Sequence, residues 1–131
     1  MSNYFERVIE FTDRLSLDII EKNDPDEILV VNNEEKGIFH LVIDLEFPIL
    51  IMEQLIYVMK KPSEHHFKRL LQMNRNLIHG AFVLDDDAKQ MIFRDTLQLE
   101  NLDFNEFEGT VNSLCLGLAE CSKELISLNQ E

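Results

Sequence analysis

The sequence predicts one α+β domain, an antiparallel sheet of about five strands flanked by helices in the order α-β-β-β-α-β-β-α. Three observations carry this. Apolar residues recur every three to four positions in three separate segments, as amphipathic helices require. Three consecutive runs rich in Ile, Val, Leu and Phe lie between the first two of these segments, and two more lie before the last. Turn-forming residues separate the runs, with no linker, repeat or low-complexity stretch, so residues 1–131 read as a single domain.

The first segment, Asn3 to about Lys22, carries Phe5, Val8, Ile9, Leu15, Ile19 and Ile20 on its stripe, widened by Tyr4 and Phe11. Asn23-Asp24-Pro25 ends it, because Pro25 disfavours helical geometry at Asp24. Strand-like runs follow at Glu27 to Asn32, Gly37 to Leu45 and Ile49 to Met59, with a polar loop from Asn32 to Gly37 and a corner at Glu46-Phe47-Pro48. They read as an antiparallel meander. Both alternate sets are largely apolar (Ile28, Val30 against Leu29, Val31; Ile38, Val42 against Phe39, Leu41, Ile43), which calls for cover on both sheet faces. A second helix opens after Pro62 with Ser63 as N-cap and a stripe of Phe67, Leu70, Leu71, Asn74, Leu77 and Ile78. Gly80 releases the chain into strands Ala81 to Leu84 and Gln90 to Leu99, joined by the hydrophilic Asp85 to Lys89 hairpin. The last helix has the clearest start. Asp103 caps the Glu106 amide, Glu106 reaches back, and Leu102 staples onto Phe107. Its stripe runs through Phe107, Val111, Leu114, Leu118, Cys121 and Leu125.

The balance of charge narrows the function classes. With 25 acidic against 12 basic residues and a net charge of −13, the chain would repel a phosphate backbone and gain nothing from anionic lipid. Neither nucleic acid nor a membrane is expected as a partner. The N-terminal residues show no positive n-region followed by a long apolar stretch, and the longest apolar run, Phe47 to Met59, is interrupted by Pro48, Glu53 and Gln54. A cytoplasmic protein is expected. Cys115 and Cys121, six positions apart on one helix, point about 120° away from each other, so no disulfide is expected between them.

No constellation for catalysis stands out. His65 and His66 point about 100° apart at a helix start, and neither His40 nor His79 falls in a zinc-ligand spacing. Asp85, Asp86 and Asp87 lack the glycine and distal Glu of a calcium loop. The four glycines form no phosphate-binding loop, and Gly109 and Gly117, inside the last helix, suit close packing. No serine sits in a nucleophile-elbow context. The sequence therefore predicts a non-enzyme with no metal and no cofactor.

Leu70-Leu-Gln-Met-Asn74, Gly80-Ala-Phe-Val-Leu-Asp85, Ile92-Phe-Arg-Asp-Thr-Leu-Gln-Leu99 and Leu102-Asp103 together resemble the YbjN-like domain and the related type III secretion chaperone (CesT/Tir chaperone-like) group. These motifs all fall within residues 70–103, while the element order fits nearly all of the chain. The resemblance implies a helix-flanked antiparallel sheet, usually a homodimer, whose secretion-chaperone members hold an extended segment of a client protein. YbjN-like relatives are described as regulators of signalling, and the group offers no catalytic residues to carry over.

The residues point to a partner on their own terms. Apolar strands on both faces need a second surface, and a self-complementary dimer is the commonest solution. The expected function is a non-catalytic, chaperone-like homodimer holding an extended client segment; the alternative is a regulatory or adaptor protein that binds a folded partner or small ligand. Tyr4, Phe11, Leu29, Val31 and Met52 are the expected partner contacts. If so, Asp at Leu29 and Met52 abolishes capture and spares the fold.

Overall fold

The structure, a computed structural model, describes residues 2–130. Helix α1 (Asn3–Arg14) begins where the Ser2 hydroxyl accepts the Phe5 amide at 3.1 Å, meeting one of the donors a helix start leaves unpaired. It buries Phe5, Val8 and Phe11. The helix stops at Arg14, well short of the expected Lys22, because the chain turns at Ser16, whose φ of 58° lies in the left-handed region. Asp18–Asn23 then forms strand β1. Ile19 and Ile20 are β-branched and suit a strand, but their positions also extend the helical stripe, so periodicity alone misassigned them.

Strands β2 (Ile28–Asn33), β3 (Ile38–Glu46) and β4 (Ile49–Val58) build the expected meander. Helix α2 (Glu64–Asn74), capped by the Ser63 hydroxyl on the His66 amide, crosses to β5 (Ala81–Leu84), and the Asp85 hairpin leads to β6 (Gln90–Gln98). In that hairpin the Asp85 carboxylate accepts the Lys89 and Gln90 amides. The sheet has six antiparallel strands in the order β1-β2-β3-β4-β6-β5, one more than expected. Helix α3 (Phe104–Gln130) starts as its sequence signal requires, with the Asp103 carboxylate accepting the Glu106 amide at 2.8 Å and with Leu102 and Phe107 buried.

One face of the sheet carries the core. Leu29, Val31, Leu41, Ile43, Leu50, Met52, Met91 and Phe93 point inward and are buried with Phe5, Phe107, Val111 and Leu114 from the helices. Each such side chain contributes roughly 1.5–3 kcal/mol of transfer free energy, so this face holds the helices down. Phe11 is wedged against the rings of Phe104 and Phe107, at 5.7 and 5.6 Å, and joins α1 to α3. A Cβ on Gly117 would lie 2.7 Å from Leu77, and one on Gly109 would lie 3.0 Å from His79, so the missing side chains set how closely α3 approaches the segment after α2.

Candidate protein-binding surface

The helices reach only the inner face: Thr110 of α3 donates to Asp95 at 2.7 Å, and His66 of α2 lies 2.6 Å from the Tyr57 hydroxyl. Burial pushes the Tyr57 phenol up to about 12. Among the described residues, no helix lies over the opposite face. Strand register arranges its side chains in rows. Asn23, Ile28, Asp44, Ile51 and Thr96 form one row, and Glu21, Val30, Val42, Glu53, Arg94 and Ala81 form the next. Leu55, Ile92 and Val83 form a third. Ile28, Val30, Val42, Ile51 and Ile92 are half-buried by one another, and Leu55 is exposed. This is a mainly aliphatic platform with Arg94 and Glu53 paired at 2.8 Å across its centre.

Asp44 sits among these aliphatic side chains, and its Oδ1 is buried without a hydrogen-bond partner. Desolvation raises its pKa above the usual aspartate value, and the nearby carboxylates of Glu46, Asp26 and Glu53 add to the rise.

The structure corrects the expected contacts. Leu29, Val31 and Met52 are each 0% exposed on the inner face, and Phe11 is buried between two rings, so none of these four can meet a partner while the helices are in place. Tyr4 is half-buried against Phe47, ring centroids 5.9 Å apart. The surface open to a partner is the alternate set. A shift of one residue exchanges the faces of a strand, and two apolar sets leave that choice open. The charges could have decided it: Asp44 and Glu46 share the parity of Val42, and Glu53 shares that of Ile51, which marks those sets as the outer ones.

Three side-chain amides close backbone edges around the sheet. Gln54, buried, accepts the Phe39 amide at 3.1 Å and donates to the Gly37 carbonyl at 3.2 Å. Asn129 accepts the Lys60 amide at 3.0 Å and donates to the Val58 carbonyl at 3.0 Å. Asn74 accepts the Phe82 amide at 2.6 Å and donates to its carbonyl at 3.1 Å, which closes the middle of edge strand β5. Beside this amide, Phe67, Leu70, Leu71, Phe82, Val83 and Leu84 line an apolar groove between α2 and β5.

Cys115 and Cys121 are free, and burial raises both thiols above the ordinary value, away from nucleophilic thiolate. Among the described residues, no group of three or more His, Cys, Asp or Glu could hold a metal ion, and no helix is long and apolar enough to cross a membrane.

No curated protein matches the sequence. Solved structures do. YbjN, a proposed transcription regulator from E. coli, superposes with a TM-score of 0.69 at 15% identity over 92% of each chain. The HopA1-SchA chaperone-effector complex contains a chain with a TM-score of 0.56 at 14% identity, covering 100% of this chain and 98% of that one. The Yersinia pestis type III secretion chaperone SycH, in complex with a stable fragment of YscM2, gives 0.55 at 15% identity over 96% and 99% of the two chains. These likenesses establish the shared fold. The family model named CesT_Tir_1 matches residues 1–131, and the chain belongs to that family.

Proposed function

We propose that this protein is a non-catalytic, chaperone-like homodimer that holds an extended segment of a client protein on the open face of its sheet. The observation that carries this is the aliphatic platform of Ile28, Val30, Val42, Ile51 and Ile92, which none of the described helices covers. An extended segment presents apolar side chains at a period of two and can match rows set by strand register. The family membership and the SchA and SycH likenesses agree with the reading, since those proteins are chaperones solved with protein partners. The dimer contact is placed on a second apolar surface, the groove between α2 and β5, where Leu71 is exposed and the edge of β5 ends the sheet. Two copies related by a twofold axis would each cover the other's Leu71.

Light scattering should give twice the chain mass of 15.4 kDa, and Leu71→Asp should return the monomer with an unchanged circular-dichroism spectrum. Proteins that co-purify from the native host should be held in extended, protease-sensitive form and be lost from Ile51→Asp. A wild-type monomer would overturn the dimer. Co-purifying proteins that are fully folded, or that Ile51→Asp retains, would overturn client holding on this face and favour an adaptor.

A further inference from the structure

Asp44 stands in the middle of the aliphatic platform with nothing to hold its charge. Register sets it between Ile28 of β2 and Ile51 of β4, and its Oδ1 is closed off from water with no hydrogen-bond donor among the described residues. Three carboxylates face it: Glu46, two positions along β3 and within hydrogen-bond reach, Asp26 from the turn before β2, and Glu53 from β4. The sheet's two cations are engaged elsewhere. Arg94 of β6 lies 2.8 Å from Glu53, and Lys22 of β1 lies 3.4 Å from Asp24. Glu21, in the neighbouring row, adds a further carboxylate, and His40, four positions along β3, is the histidine of this strand.

On the reading that the platform is the client surface, we propose that capture of a client segment there is linked to uptake of a proton by Asp44, so that the protein holds its client more tightly in mildly acidic solution and loosens its hold as pH rises. A segment laid over Ile28 and Ile51 strips the remaining water from the carboxyl group between them. A lone ion sealed under apolar side chains is costly, and such a group neutralises instead of staying charged. The proton comes from solvent. It settles between Asp44 and Glu46, whose closeness becomes a hydrogen bond once the Asp44 hydroxyl donates to the Glu46 carboxylate. Desolvation and the facing carboxylates already hold Asp44 above the ordinary aspartate pKa in the open protein, and covering the platform raises it further. Between the open and the covered values each capture takes up a proton, and the dissociation constant rises by up to about tenfold per pH unit; below the first value and above the second it is flat.

The probe is a short capped peptide of alternating valine and threonine with a single tryptophan, a residue the protein lacks. It carries no titratable group, so only the protein responds to pH. Tryptophan fluorescence should show the dissociation constant rising about tenfold between about pH 5 and about pH 8. Asp44→Asn, checked by circular dichroism, should bind equally well across that range. Glu46→Gln should keep the dependence but move it to lower pH, because it removes a facing charge, and His40→Gln should leave it in place. In the steep part of the range, calorimetry in two buffers of different ionisation enthalpy should show net proton uptake by the wild type and none by Asp44→Asn. Ile51→Asp should lose the peptide at every pH. Binding that Ile51→Asp removes but that is equal across the range, or a pH dependence that Asp44→Asn retains, overturns the proton linkage and leaves client holding intact. Failure of the peptide to bind at any pH, or its retention by Ile51→Asp, overturns the platform as client surface and the linkage with it.

Discussion

Gln54 shows how much a single polar side chain can carry inside this sheet. Its buried amide serves the Phe39 donor of β3 and the Gly37 acceptor just before the strand. Gln54→Ala leaves both unsatisfied and should lower the unfolding free energy by about 1–3 kcal/mol, read from urea denaturation. By contrast, the exposed Lys22–Asp24 pair at 3.4 Å is worth about 1 kcal/mol at most. Asp44 makes a second residue-scale test. Desolvation and neighbouring carboxylates raise its folded pKa above the ordinary aspartate value of 3.8, so the folded state holds this proton more tightly than the unfolded chain. Stability from this group is fully present below pH 3.8 and is lost as pH rises through the folded pKa. Asp44→Asn should therefore raise the urea midpoint at pH 7, and the gain should shrink as pH falls through the window just above 3.8. An equal gain at every pH would remove Asp44 as the cause. The same residue explains a sequence error: Asp44 and Glu53 mark the solvent side of their strands, yet the apolar residues on both parities outnumbered them, so Leu29, Val31 and Met52 were assigned to the wrong face.

At the scale of elements, the local start signals were the most legible. Ser63, Asp103 and the Asp85 hairpin act as their side-chain chemistry requires, because capping and turn bonds span only three to five residues. Strand β1 was not legible. All six of its residues are exposed, so no burial pattern separated it from the end of α1, and only the turn at Ser16 does so. The same exposure sets its dynamics. Pairing only with β2 at the sheet edge and burying no side chain, β1 should open locally with the lowest free energy in the sheet. Hydrogen exchange should deprotect the β1 amides well before those of β4 and β6; equal protection would require a partner on this edge. A cleft where β3 parts from β4, lined by Phe39, Leu55 and Val58, was also illegible from sequence, since that parting depends on register and on the left-handed turn at His40, whose φ is 52°.

For the whole molecule, the sequence reading had the architecture and element order, and it saw that one helical layer leaves a sheet face over. It did not foresee that apolar surface would fall in three places: the platform, the α2/β5 groove and the β3/β4 cleft. A net charge of −13 keeps such a surface from indiscriminate self-association, and high salt should weaken that protection by screening. The edge-closing amides carry one more consequence, for the lifetime of the molecule. Hydrolysis of an amide side chain to a carboxylate removes its donor and leaves only acceptors. At Asn74 the new carboxylate would still receive the Phe82 amide but would face the Phe82 carbonyl oxygen with a negative charge. Deamidation at this asparagine would thus unlatch β5 and turn a protected sheet edge into a site for uncontrolled strand pairing.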